Sequence, residues 1–556
     1  MVYNVTMSSR VSILRSPLAA VLFVGLVSML IRGVLLAQFP FDGLYGQDAY
    51  YYLSASRDLA AVWGDPARLW DWLTVWGTPS LTVWPLGYHM QMVLASLFVG
   101  QGPASGQVVS FLSGVVTPVL TTLLTINLWR TSQDKEAGRD VPGSVLAGAA
   151  LAGLVVALSA LAVRSSLVVM SDMAGLFWAT LAVLLATYYA SGPEGRWRLG
   201  LLCGLCLGIA SITRYIYPLI LVPVLAYLVL IERQRQGMQW PSWAYFVGRA
   251  LPIVAPVVLL VGLQLTYNWA HPTPSSSGVS PVIGSWNPTN AWQSTFDGPD
   301  GHAQYEQPMA YFFVVRPLVS FHALGLGLLP LFVVGLVALV RSRAFAALAL
   351  VGGWWLLFAF FYSGTIYQPD RFILSYLPPL ATVAGLGLVW LLEFLAAHLS
   401  RGGPAILRIL LPRMLVASAL LLAGLSLLMS GKTAVDDFRE LYAGKQDYLR
   451  AIQCLSKIVP GEAAQTPVYS FQVTFTLMQY AKLNPRELFF ETPASLDSEL
   501  QQSDSGVKGY LVLPLSGFEE QWGRTPVGAT FHHLQSKYNL TRVGCPGTSF
   551  TIFEIR

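Results

Sequence analysis

Apolar runs of membrane-spanning character recur along the chain, at residues 17–37, 106–129, 143–162, 173–190, 198–212, 215–231, 250–270, 318–340, 344–362, 373–395 and 409–430. A helix needs about 20 apolar residues to cross roughly 30 Å of hydrocarbon, so these runs predict eleven transmembrane helices. A further apolar stretch, 85–99, is short and holds Pro85, His89 and Gln91. It predicts a helix lying in the interface. Counting it as a span would move nearly all the arginine-rich loops outside, against the positive-inside rule. With 85–99 in the interface, Arg130, Arg196, Arg198, Arg233, Arg235, Arg249, Arg341, Arg343 and Arg413 all fall on the cytoplasmic side. The N-terminus is then cytoplasmic and the C-terminus external. The first run follows Arg10 and Arg15, is too long for an ordinary signal-peptide core and lacks a small-residue cleavage site, so it reads as an uncleaved helix.

From Gly431 onward the pattern changes. Short β-like runs at 468–471, 487–490, 508–513 and 549–555 alternate with helical stretches at 446–459 and 473–482. That order predicts a small α/β domain outside the membrane. The expected division is therefore a transmembrane domain over 1–430 and an extracytoplasmic α/β domain over 431–556. The outer face also receives a long first loop, 38–105, with interfacial helices. A second long loop, 271–317, is rich in Pro, Gly, Ser and Asn, the character of a binding loop or lid.

Composition agrees. Of 556 residues, 54% are hydrophobic and 11% charged, against about 25% charged in soluble domains. The chain reads as an all-α polytopic membrane protein carrying one small mixed domain, and no feature points to nucleic acid. Cys203 and Cys206 lie in an apolar run as packing residues. Cys454 and Cys545 fall in the C-terminal domain, and the sequence leaves their pairing open.

The chemistry collects at one boundary. Asp48, Arg57, Arg164, Asp172, Arg214, Arg316, Asp370 and Arg371 all stand where an apolar run meets the outer face. Each has a plain explanation by itself. Asp48 could N-cap an interfacial helix, with Tyr50, Tyr51 and Tyr52 in an aromatic belt. Asp172 could cap the helix starting at Met173, Arg164 and Arg316 could snorkel, and Arg371 could pair with Asp370. Together they run against the positive-inside trend. Arginine forks beside carboxylates suit an anionic headgroup with a base next to it. Transfer of a sugar from a polyprenyl phosphate needs that set: cations for the phosphate and a carboxylate for the acceptor proton. The departing phosphate, with a second pKa of about 6, needs no general acid. A divalent cation, magnesium or manganese, stays open. Asp48 and Asp172 could share one if Asp297, Asp300 or Glu306 completed an oxygen shell. Alternatively, those loop acids are solvated turn residues of Asp297-Gly298-Pro299-Asp300-Gly301.

Five motifs, in order, carry a family resemblance. They are Gln47-Asp48-Ala49-Tyr50-Tyr51 with Arg57-Asp58-Leu59, then Trp84-Pro85-Leu86-Gly87-Tyr88, then Ser171-Asp172. Gly204 to Arg214, ending Ser211-Ile212-Thr213-Arg214, and Gln368 to Pro379, containing Asp370-Arg371, complete the set. The chain resembles the GT-C fold glycosyltransferases, in the branch of protein O-mannosyltransferases and the lipid A aminoarabinose transferase. It departs from the aminoarabinose enzymes at Val83-Trp84, where they carry Glu-Lys. The resemblance implies a GT-C fold and a polyprenyl-phosphate-linked sugar donor in place of a nucleotide sugar. It makes Asp48 and Asp172 the catalytic residues and Tyr51, Arg57, Arg214, Asp370 and Arg371 substrate contacts, to which the boundary charges add Arg164. The implied acceptor is an envelope glycan, lipid or protein, and the implied setting the cell (inner) membrane and its lipids. A polyprenyl-lipid flippase or polysaccharide transporter is the competing class. It would more often show paired repeats and charges at mid-span.

Overall fold

The structure, a computed structural model, describes residues 16–73, 83–132, 141–192, 196–236, 239–240, 242–271, 284–298, 301–399, 405–459, 466–481, 483–502 and 506–556, without the side chains of 398–399 and 405–412. The chain is a multi-pass membrane protein whose described residues form two compact units. The first comprises 1–43, 52–292 and 309–437; the second comprises 44–51, 293–308 and 438–556.

The helices of the first unit, in chain order, are α1 (Pro17–Gln38), α2 (Gly46–Val62, which begins in the second unit), α3 (Leu86–Val99), α4 (Pro103–Ser132), α5 (Gly143–Leu158), α6 (Ala160–Leu167) and α7 (Ser171–Ser191). They continue with α8 (Trp197–Thr213), α9 (Leu221–Arg235), α10 (Trp243–Ala270), α11 (Leu329–Arg341), α12 (Phe345–Ser363), α13 (Leu377–Leu399) and α14 (Ala405–Ile458, which from Phe438 belongs to the second unit). Among the described residues, eight helical segments are long and apolar enough to cross a membrane, or nine if the bent pair α5–α6 counts as one span. The segments predicted at 198–212 and 318–340 form shorter apolar helices instead, Trp197–Thr213 and Leu326–Arg341. Helix α3 has 14 residues, about 21 Å at 1.5 Å per residue, and is too short to cross.

Glycine sets how closely these helices meet. A Cβ on Gly335 of α11 would strike the Val383 carbonyl, and one on Gly387 of α13 would strike the Leu331 carbonyl. The two backbones therefore touch, the small-residue contact typical of membrane helices. Gly204 lets α8 approach the Ile253 backbone of α10 in the same way.

Between α5 and α6 the chain bends by 54°. The backbone groups freed there find partners. Leu161 N and Ser159 Oγ donate to the His322 carbonyl at 3.3 and 2.6 Å. Arg32, fully buried on α1, donates from Nη1 to the Ala157 carbonyl at 3.1 Å and from Nε to Ser166 Oγ at 2.7 Å. A cation at the end of α5 also suits the helix dipole. Broken helices persist at membrane depth only where the protein satisfies them in this way.

The second unit holds a hairpin, β1 (Thr295–Gly298) with β2 (Gly301–Gln304), so the loop expected over 271–317 is partly ordered as strands. It also contains β3 (Val468–Ser470), α15 (Thr474–Ala481), β4 (Arg486–Glu487), α16 (Pro493–Leu500), β5 (Gly509–Pro514), α17 (Pro526–Lys537), β6 (Leu540–Val543) and β7 (Phe550–Ile555). The sheet runs β4-β3-β5-β7-β6, parallel from β4 to β5 and antiparallel beyond. Tyr469, Leu511 and Ile555 face one apolar layer with Phe531 and Leu534, while Val468, Val512 and Ile552 face Ile452 and Leu455 of α14.

Cys454 and Cys545 are bonded, with Cα atoms 6.1 Å apart and 91 residues between them in sequence. Disulfides as a class form and persist in oxidising compartments. It also removes loop-closure entropy from the unfolded chain. Reducing it, or Cys545→Ser, is expected to lower the stability of this unit by about 2–4 kcal/mol. Denaturant unfolding followed by tryptophan fluorescence, with and without reductant, checks this.

Candidate functional site

Helix ends and one 3-10 turn bring Asp172, Arg214, Arg371, Asp370 and Arg316 of the first unit together, and leave Arg57 and Arg164 outside that set. Asp172 lies in the first turn of α7 and is 4% exposed; Met170 holds the N-cap position, so Asp172 is not the cap. Its partner is Arg214, which follows α8 in extended backbone (φ −150°, ψ 129°). A carboxylate at a helix start and a cation at a helix end are each favoured by the dipoles. The Arg214 guanidinium also lies 5.5 Å from the ring centre of Phe372. Phe372 belongs to a 3-10 turn, Asp370–Tyr376, that packs against α6 and α7 and leads into α13.

That turn carries the next two charges. Arg371 Nη1 lies 3.5 Å from Met170 Sδ, next to the start of α7. Asp370 takes Arg316 as ion partner, Nη2 to Oδ1 at 3.1 Å. The expected plain reading, an ordering pair between Arg371 and Asp370 within the loop, gives way to this longer-range pair. Arg316 follows a single π-helical turn, Tyr311–Val315, and its guanidinium lies over Phe312 at 4.6 Å. Such turns recur at functional sites.

His322 joins the same unit. Its Nε2 is 3.3 Å from Asp437 Oδ2 and its Nδ1 is 3.1 Å from Ser320 Oγ. The hydrogen bond with Asp437 holds the imidazole pKa above its ordinary value, against the desolvation that lowers it. Arg164 is exposed on α6, and Arg57 is exposed on α2, donating from Nε to the Gln101 carbonyl at 3.3 Å. Helix α2 is tied to the start of α7 by Tyr52, whose hydroxyl meets Ser171 Oγ at 2.7 Å. Tyr52 also packs edge-on against Tyr88 of α3, centroids 4.9 Å apart.

Asp48 belongs to the second unit. It sits half-buried in the first turn of α2, where the dipole favours a carboxylate. Tyr51 packs on Phe475 with centroids 4.4 Å apart. Burial pushes the Tyr51 phenol up, and the charges of Glu487 and Asp48 add to the effect. Glu487 is itself held above the usual carboxylate range by burial, and it accepts a hydrogen bond from Thr474 Oγ1 at 2.5 Å.

Of the loop acids considered for a metal, Asp297 and Glu306 lie in the second unit. Asp297 is exposed and is 2.7 Å from His302 Nδ1, Glu306 is exposed, and Asp300 lies outside the described residues. Among the described residues, no group of three or more His, Cys, Asp or Glu is arranged to hold a metal ion.

Sequence reasoning missed the His322–Asp437 pair, Lys445 and Glu487. His322 lay inside a predicted span, and Lys445 one residue before a predicted helix. Nothing local to either marks its burial.

Residues 140–269, which include Asp172 and Arg214, match the family described as dolichyl-phosphate-mannose-protein mannosyltransferase. No protein of curated function matches the chain in sequence. Among solved structures, the chain is similar to ArnT from Cupriavidus metallidurans bound to undecaprenyl phosphate. The TM-score is 0.58 and the identity 15%, covering 96% of this chain and 97% of that one. It is also similar to the oligosaccharyltransferase AglB from Archaeoglobus fulgidus, in complex with an inhibitory peptide and a dolichol-phosphate. Here the TM-score is 0.56 and the identity 14%, over 97% of this chain and 74% of that one. The chain has the GT-C fold that these structures share.

Proposed function

We propose that this GT-C-fold chain, similar to polyprenyl-phosphate-dependent glycosyltransferases, moves a sugar from a polyprenyl-phosphate carrier to an acceptor on the outer face of the membrane. The observation that carries the reading is the arginine set at helix ends: Arg214 on Asp172, Arg371 beside Met170, and Arg316 on Asp370. Guanidinium forks held by carboxylates and aromatic faces suit a lipid phosphate. Crossing-length apolar helices suit its tail. The bonded cysteines agree with an external second unit.

In this reading Arg214 and Arg371 hold the donor phosphate. Asp172 keeps the Arg214 guanidinium oriented, and Asp370 does the same for Arg316. Arg57 and Arg164 are exposed cations for the approaching headgroup, and Tyr51 borders the acceptor. Asp48 is the base, assigned on its first-loop motif. The acceptor hydroxyl attacks the anomeric carbon in line, Asp48 takes its proton, and the bond to phosphate breaks with inversion. The arginines stabilise the charge that grows on the phosphate, and the phosphate leaves as the free lipid phosphate. The acceptor class is an envelope glycan, lipid or protein.

The phosphate assignment is tested by binding. Arg371→Ala is expected to weaken undecaprenyl phosphate binding to the purified protein by about 1.5–3 kcal/mol, the worth of a charge-assisted contact. Arg371→Lys should recover part of it, because the fork geometry is lost. Wild-type affinity in a folded Arg371→Ala protein removes this residue from the site.

A further inference from the structure

We propose that Lys445, on α14, is a positioning residue for the transfer reaction: it fixes the segment 44–51 that carries Asp48. This rests on the reading of Asp48 as the base. Lys445 is 3% exposed. Its ammonium donates to the Leu44 carbonyl at 2.9 Å, to the Tyr50 hydroxyl at 3.1 Å and to the Tyr480 hydroxyl at 2.6 Å. An ammonium has three protons to donate, and these oxygens are three acceptors for it. Aromatic faces supply further stabilisation, with Nζ 4.2 Å from the Tyr480 centroid and 5.5 Å from that of Tyr50. Two of the three acceptors, Leu44 and Tyr50, flank Asp48 on its N- and C-terminal sides.

Neighbouring contacts point the same way. Tyr45 stacks on Tyr448, centroids 5.7 Å apart, one helical turn beyond Gly444. A Cβ on Gly444 would come within 2.7 Å of the Tyr45 hydroxyl, so glycine there lets the ring approach. From α15, Phe475 packs on Tyr50 and Tyr51 at 6.5 and 4.4 Å. The base-bearing segment is thus gripped by one turn of α14 and one face of α15. A buried lysine has a desolvation cost that a methionine there would not have. What the lysine adds is directional: two bonds to the segment, one on each side of Asp48, and a third to Tyr480. A base misplaced by about 1 Å can lose two orders of magnitude in rate.

The test compares the full-length protein with Lys445→Met, which keeps chain length and removes the donors. Three quantities are read: hydrogen exchange of peptides covering 44–51, affinity for undecaprenyl phosphate, and kcat for transfer from radiolabelled polyprenyl-phosphate mannose to an envelope extract. Exchange over 44–51 is expected to rise about tenfold or more while β5 and β7 stay protected. Undecaprenyl phosphate affinity should stay within about twofold and kcat should fall about ten- to hundredfold. Unchanged exchange over 44–51, or unchanged kcat with raised exchange, overturns the inference. So does exchange that rises equally in β5 and β7, which would make Lys445 a support of the whole unit. If Lys445→Met does not fold, Tyr480→Phe carries the test, with smaller changes in the same directions required. Full turnover in Asp48→Asn overturns the base reading and the catalytic half of this inference with it, whereas unchanged exchange over 44–51 overturns the inference alone.

Discussion

Asp48→Asn is expected to lose at least about a hundredfold in the rate of transfer to a hydroxyl acceptor, with undecaprenyl phosphate affinity retained. Asparagine keeps the size and much of the hydrogen bonding of aspartate but cannot take a proton. A positioned base contributes about 10²–10⁴-fold. The competing role, a helix cap, predicts little change, since asparagine caps as well as aspartate. Asp48 lies inside the first turn of α2, two residues beyond its first residue, Gly46. Transfer kinetics and a lipid-phosphate binding curve on the same preparation separate the two roles. An acceptor that is itself a phosphate would need no base, so the comparison is made on a hydroxyl acceptor. Near-normal turnover there would sink the base assignment.

The second large effect concerns the buried ion pair. Asp172 is 4% exposed and the Arg214 side chain 20%. Removing one partner leaves the other charge in a low-dielectric site, which costs about 3–5 kcal/mol. Arg214→Met is therefore expected to destabilise the protein by that amount and to abolish transfer, and Asp172→Asn alone to destabilise it likewise. Arg214→Met with Asp172→Asn should recover a good part of the stability and none of the transfer, because the phosphate loses its cation either way. Unfolding in detergent, read as a double-mutant cycle, gives the coupling. Additive losses would show that the two residues act independently, and would detach Asp172 from the site.

Most of the membrane helices, and the boundary charges of the first unit, were legible from the chain. A long apolar run has few alternatives to a helix in lipid, and a charge at its end is conspicuous. Asp172, Arg214 and Arg371 were marked in that way, and the structure packs their segments together. Partners were harder to read. Asp370 has Arg371 beside it in sequence, yet it pairs with Arg316, 54 residues away. Arg32 lay unnoticed within an apolar run because its role depends on the α5–α6 bend, which no local pattern announces. The end of the apolar run near 430 suggested a domain boundary, but α14 continues to Ile458 as polar residues take over its surface. Strand β6 was invisible for a related reason: no residue of Leu540–Val543 is fully buried, and the strand takes its place from pairing with β7. Lys445 is the clearest case. A lysine just ahead of a predicted polar helix reads as solvated, and only the tertiary approach of Tyr50 and Tyr480 makes it interior.

The central claim is that the sugar arrives on a lipid phosphate and leaves on another molecule. Purified protein in sealed proteoliposomes, given an envelope extract and either radiolabelled polyprenyl-phosphate mannose or the matching labelled nucleotide sugar, tests it directly. The expected result is label moving covalently to an acceptor from the lipid donor only, with free polyprenyl phosphate released in equal amount. Label transferred from the nucleotide sugar, or lipid donor moved across the bilayer intact with no covalent product, would contradict it.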